Sequence, residues 1–253
     1  MHVEGGGDLA GAVWPDVQAA PLVLVPVGST EQHGPHLPLS TDTVIAQAVT
    51  ERAAALLTEV PLLNGAPLVA PAIAYGASGE HAGFPGTISI GHEALQVVIV
   101  ETVRSLALWA GRIVFVNGHG GNVPTLDAAV HRLRTEGHDT AWTGCAAPGG
   151  DAHAGFTETS VMLHLAPHLV RPFDAVTGDT RPLTELMPDL IAHGVRAVSP
   201  SGVLGDPSGA SAAKGREILK AMAASAALRI GGGRVDARGR LLAPGVPSPG
   251  ARA

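Results

Sequence analysis

The stretch from Val23 to Thr43, VLVPVGSTEQHGPHLPLSTDT, constrains this chain more than any other. It belongs to a short apolar run, Leu22-Val23-Leu24-Val25, of the kind that forms a buried parallel strand. At Gly28 the run gives way to a polar loop carrying Glu31, His33, His36 and Asp42. Asp42-Thr43 then opens a helical pattern. A strand that empties ligand-type side chains into a loop, and then into a helix, is the layout of an active site at the carboxyl end of an α/β sheet. Carboxylates combined with imidazoles suit Zn, Fe(II) or Mn(II) better than Ca or Mg.

The remaining pattern alternates strand and helix. A helix is expected from Thr43 to Leu57, with Asp42 at the N-cap position. Residues 68–70 and 72–73 read as a strand interrupted by Pro71, and Thr87–Ile90 as another short strand. Leu95, Val98, Ile99, Thr102, Leu106 and Trp109 share one face of a helix over 93–110. Strands are expected at 112–116 and 140–145, and helices after Asn122, before Pro167, near 183–191 and over 210–230. This alternation predicts a layered α/β/α domain. Residues 1–20 form an N-terminal extension, 21–231 a single domain, and the Gly-, Pro- and Arg-rich residues 232–253 a flexible tail.

Composition narrows the function. A formal charge of -6, with no basic face, argues against a nucleic-acid partner. No apolar run is long enough to span a bilayer, and the N-terminus lacks the signature of a secretory signal. The single Cys145 rules out an intramolecular disulfide and a cysteine-based zinc knuckle, and fits a cytoplasmic setting.

Glu31-x-His33 on extended backbone puts both side chains on one side, within reach of one ion or of two adjacent ions. Alone, Glu31-x-His33 reads more readily as a solvated polar turn, and Asp42 equally well as a helix cap. His119 is more telling: it follows an apolar strand inside Asn117-Gly118-His119-Gly120-Gly121-Asn122, where glycines let backbone and ligand approach. That turn lacks the spacing of a phosphate-binding loop. His153 and Glu158 lie five apart across a loop-to-helix junction, so one can ligate metal while the other handles protons. Glu80 and His81 are candidates to line the site. Ser78 misses the nucleophile-elbow pattern.

Together these pieces resemble the creatininase (creatinine amidohydrolase) family of metal-dependent amide hydrolases. The resemblance rests on Gly28 to Pro38 with Asp42, Asn117 to Asn122, His153-Ala154-Gly155, Glu158-Thr159-Ser160 and Gly205-Asp206-Pro207, in that order. It implies a three-layer α/β/α sandwich with a mostly parallel central sheet. It also implies two divalent metal ions, Fe(II) or Zn(II) with Mn(II) as a further option, and a closed homo-oligomer, a hexamer or octamer. Carried across, Glu31, His33, Asp42 and His119 match metal ligands, with Asp42 bridging, and His153 matches the general acid/base. One position departs. Creatinine-hydrolysing members carry a ligand Glu two residues after the His of the N-G-H turn, where this chain has Gly121. The resemblance assigns that missing carboxylate to Glu158.

The likeness extends through Ala74 to His81, Leu163 to Pro167 and Ala197 to Pro207 to a branch of the family that works in mycofactocin biosynthesis. That branch implies a peptidase whose substrate is a modified ribosomal precursor peptide. It would release the C-terminal Val-Tyr dipeptide as an amino-pyrrolidinone core, with His36, Glu80 and His81 as substrate contacts. Two alternatives stay open: a creatininase-like amidohydrolase acting on a small cyclic amide or formamide, and a non-catalytic metal-binding carrier of the peptide.

Overall fold

The computed structural model describes residues 7–17, 22–58, 66–145, 147 and 149–245. Five strands make one parallel sheet: β1 (Gly7–Asp8), β2 (Leu22–Val27), β3 (Leu68–Val69), β4 (Arg112–Asn117) and β5 (Thr140–Gly144), in the spatial order β1-β3-β2-β4-β5. The helices are α1 (Thr41–Thr58), α2 (Gly91–Leu106), α3 (Val123–Thr135), α4 (Phe156–Leu165), α5 (Leu183–His193), α6 (Val195–Val198) and α7 (Ala212–Gly232).

Strand periodicity divides the interior into two cores. Leu22 and Leu24 of β2, with Val114 and Val116 of β4, point into a core shared with α1, α4 and α7. Val23, Val25 and Val27, with Ile113 and Phe115, point the other way onto α2 and α3. Every residue of β2 is buried, as a central parallel strand covered on both faces requires. The result is the expected three-layer sandwich. A satellite cluster of Leu186, Leu190, Val195 and Leu204 anchors α5 and α6 beside the carboxyl ends of the strands.

Several elements differ from expectation. Thr87–Ile90 is not a strand: Ile88 N–H donates to Thr30 O and Ile90 N–H to Gly76 O, two separate segments, so no ladder forms. Pro71 does interrupt the next stretch, and beyond β3 pairing resumes only as the single bridge Ile73–Val27. Part of the N-terminal extension enters the sheet, because Gly7 and Asp8 pair with Leu68 and Val69. Residues 233–242, expected in a flexible tail, return to the sheet. Gly233 turns the chain after α7 at φ 65, Leu241 N–H donates to Trp142 O at 2.8 Å, and Leu241 is buried. Residues 246–253 of that tail lie outside the described residues. Among the described residues no helix is long and apolar enough to cross a membrane.

Candidate metal centre

The carboxyl ends of β2 and β4 open onto one buried cluster. The loop after β2 supplies Glu31 and His33, and the first turn of α1 supplies Asp42. The turn after β4 supplies His119, and the junction into α4 supplies His153 and Glu158. Gly28 is required where the first loop passes α1, since any Cβ there would run into the backbone of Thr43. Asn122 ties the loops together: its Nδ2 donates to Gly28 O at 2.9 Å and its Oδ1 accepts from Ala77 N–H at 2.9 Å. Asp151 accepts from the first N–H groups of α4 at Phe156 and Thr157, capping the helix that carries Glu158. Between His153 and Glu158, Ala154 adopts φ 54, the one left-handed non-glycine conformation among the described residues. Its N–H donates to Glu158 Oε2 at 2.6 Å, which helps orient that carboxylate.

Three imidazoles share one design. His33 Nδ1 donates to the Glu31 carbonyl at 3.1 Å, leaving Nε2 to face Asp42 Oδ1 at 3.0 Å and Glu158 Oε2 at 3.8 Å. His119 Nε2 donates to Ala77 O at 3.2 Å, leaving Nδ1 3.2 Å from Glu31 Oε1 and 3.3 Å from Asp42 Oδ2. His153 Nε2 donates to the Gln32 carbonyl at 2.9 Å, leaving Nδ1 3.7 Å from Glu31 Oε1. Each ring thus anchors one nitrogen on a backbone carbonyl, which fixes its tautomer, and aims the other at carboxylate oxygens. A ring-nitrogen lone pair facing a carboxylate repels it unless a cation lies between. Both Glu31 oxygens are buried and accept no hydrogen bond. No Lys or Arg pairs with Glu31, Asp42 or Glu158 among the described residues. This donor set fits divalent metal. The ligand atoms fall into the groups Glu31, Asp42 and His119; His33, Asp42 and Glu158; and Glu31, His33 and His153. Asp42 belongs to the first two, one through each side of its carboxylate.

The electrostatics say the same. Burial disfavours the charge on His33, yet Asp42 outweighs it and raises the pKa to about 10. Burial is likewise overcome at His119, by Glu31 first and then Asp42, and its pKa rises. Burial would raise Asp42, but His33 and His119 hold its carboxyl well below the usual range. Burial wins at Glu158, lifting it to about 7 against the pull of His33. Burial, then the charge of His33, push His153 well down. His33 and His119 are therefore held in the cationic form by their carboxylate neighbours.

The other expected residues fall in different places. Asp42 does not cap α1: it sits inside the first turn, and its carboxylate accepts from Ser29 Oγ at 2.6 Å and pairs with His33. His81 lies at the cluster edge, buried, with Nε2 3.2 Å from Glu31 Oε1. Glu80 stands behind His119, with Oε1 3.4 Å from its Nε2. His36, expected to face substrate, is buried instead behind the cluster, with Nε2 on Thr159 Oγ1 at 2.9 Å. Sequence reasoning missed Ser29 and Gln32. The Gln32 amide reaches His81 Nδ1 at 2.8 Å and Gly202 O at 3.0 Å, bracing the loop from inside. Two cavities meet at His119. One, of about 560 Å³, includes Glu158, Asp151 and Arg181; the other, of about 710 Å³, includes Glu80, His81 and His153.

A family model described as creatininase, creatinine amidohydrolase, matches residues 10–230. The chain belongs to the creatininase family. A mycofactocin precursor peptide peptidase of Mycobacterium ulcerans (strain Agy99) is 57% identical over 212 residues, covering 83% of this chain and 84% of that protein. A solved creatinine amidohydrolase (creatininase) superposes with a TM-score of 0.71 at 28% identity, covering 90% of this chain and 97% of its own. The Zn–Zn type of a mutant creatininase superposes with a TM-score of 0.65 at 26% identity, covering 88% and 96%. Within this creatininase-family site Gly121 leaves no room for a side chain. A Cβ there would run into the His119 ring, the Ala77 carbonyl and the Glu80 carboxylate, while Glu158 reaches the cluster from α4.

Proposed function

We propose that this chain is a metal-dependent peptidase of mycofactocin biosynthesis. It hydrolyses the modified precursor peptide and releases the C-terminal Val-Tyr dipeptide as the amino-pyrrolidinone core. The observation that carries the reading is the set of three imidazoles, each anchored on a backbone carbonyl and aimed at carboxylates that no Lys or Arg neutralises among the described residues. The likeness to a relative named for that peptide supports the choice of substrate.

Glu31, Asp42 and His119 would hold one ion, and His33, Asp42 and Glu158 the other, with Asp42 shared and Glu158 standing in for a ligand at position 121. Divalent metal at these residues supplies an acidified water and a polarised amide carbonyl. Zn(II) or Fe(II) suits the oxygen and imidazole donors. His153 is left for proton transfer. Its Nε2–H is committed to the Gln32 carbonyl, so Nδ1 is the working atom. Burial keeps it neutral near pH 7, so Nδ1 takes a proton from the attacking water and passes it to the leaving amine. Ser29 and Gln32 hold Asp42 and the ligand loop in place. The working form is a cytoplasmic homo-oligomer of six or eight subunits, and exposed Trp14, Val97 and Leu108 offer apolar surface for subunit contacts.

The test is mass spectrometry of the modified precursor peptide after incubation with the protein, with and without a chelator. Chelator-sensitive release of the C-terminal dipeptide is expected. An intact peptide beside fully metallated protein would overturn the reading in favour of a small-amide hydrolase. Peptide binding without cleavage would indicate a carrier.

A further inference from the structure

The two cavities that meet at His119 differ in what they contain. The larger one, of about 710 Å³, includes His153; the smaller does not, and is bordered by Asp151, Glu158, Asp179 and Arg181. As proposed above, His153 passes a proton to the leaving amine, so that amine departs into the cavity that His153 borders. In the hydrolysis proposed above, that amine belongs to the C-terminal fragment. We infer that the cavity between His153 and α5 is the subsite for the C-terminal, aromatic fragment of the peptide, and that the acyl side of the scissile bond lies in the smaller, more charged cavity.

The shape of α5 supports this independently of the proton argument. One stripe of the helix, Leu186 and Leu190, is buried and fixes it to the satellite core. A second apolar stripe, Leu183, Met187 and Ile191, recurs every four residues. These three side chains are 45%, 41% and 78% exposed; Leu183 borders both cavities, whereas Met187 and Ile191 line the larger one and not the smaller. A helix that is apolar on two adjacent stripes, one of them bared to a cavity beside the reaction centre, has a second apolar surface to cover. An aromatic ring with a short aliphatic group fits that surface. Arg196, which also borders the cavity, is held by Gly83 O and lies against Phe84, and its remaining N–H groups can donate to a phenolic oxygen.

This inference rests on the peptidase reading, and the test separates the two. Zinc-loaded protein is titrated calorimetrically with each product of the cleavage: the C-terminal fragment and the precursor peptide that lacks it. Met187→Gln and Ile191→Gln change exposed side chains and leave the metal cluster untouched. Each is expected to weaken binding of the C-terminal fragment about tenfold and to shift that of the truncated peptide by less than twofold. If the truncated peptide loses affinity instead, the direction of the substrate is reversed and the inference is overturned. If neither Kd moves, α5 does not line a subsite and the inference falls, while cleavage by the unaltered protein leaves the peptidase reading standing. Failure of the unaltered, metal-loaded protein to cleave would instead overturn that reading, and the inference with it.

Discussion

Asp42 is the residue on which both proposed ion positions depend, because its two oxygens face His33 and His119 separately. Asp42→Ala is expected to remove both ions, whereas Glu158→Gln should remove about one of two; metal analysis per protein chain checks both. His153→Ala should keep its metal and lose roughly 10²–10⁴-fold in turnover, as expected for a lost general acid/base. Metal loss in that variant would make His153 a ligand, which its nearness to Glu31 and His33 permits. His36 tests the packing behind the cluster. Burial, then the charge of His33, lower its pKa from 6.5 to about 4, so the folded protein holds it neutral. Its contribution to stability is therefore full above pH 6.5 and is lost as pH falls from 6.5 through about 4. The Tm advantage of the protein over His36→Gln should shrink across that window. That Glu31, His33, Asp42, His119, His153 and Glu158 come together was legible from the ordered set of family motifs and not from any one of them, since Glu31-x-His33 alone reads as a solvated turn. Ser29 and Gln32 could not be read this way, because their roles come from partners far along the chain, such as Gly202 for Gln32.

At the scale of elements, β2, β4 and α3 were legible because their periodicities are complete within each segment. Leu22–Val27 is apolar throughout, and Leu126, Val130 and Leu133 recur at helical spacing. The elements that were missed depend on distant partners. β1 is two residues long and exists only through β3, and residues 233–242 hold to Trp142 across a long sequence gap. The same dependence governs the contact between α4 and α7. Gly215 in the first turn of α7 lies against the Ser160 carbonyl of α4, so closely that any Cβ would overlap that backbone. Backbone cannot yield as a side chain can. Gly215→Ala is therefore expected to cost about 1–3 kcal/mol, as overpacking does. For a chain of this size that is a fall of about 5 °C in Tm, read by thermal unfolding. Because α4 carries Glu158, the variant should also bind its metal more weakly.

For the whole molecule, the cluster joins parts of the chain that lie far apart in sequence. Glu31 and His33 come from the loop after β2, Asp42 from α1, His119 from the turn after β4, and Glu158 from α4. Glu158 belongs to the layer of α4 and α7, on the opposite side of the sheet from α2 and α3. Removing bound ions would leave Glu31, Asp42 and Glu158 compensated only by protonated histidines. An ion that binds the folded chain alone stabilises it by about 4 kcal/mol when present at roughly a thousand times its Kd. Chelation should therefore lower the Tm on the order of 10 °C, and zinc should restore it. The control is Asp42→Ala. If the stabilisation comes from ions in this cluster, chelator should barely move the Tm of that variant, although its Tm starts lower. An equal response to chelator in both proteins would mean that the stabilising ions bind elsewhere.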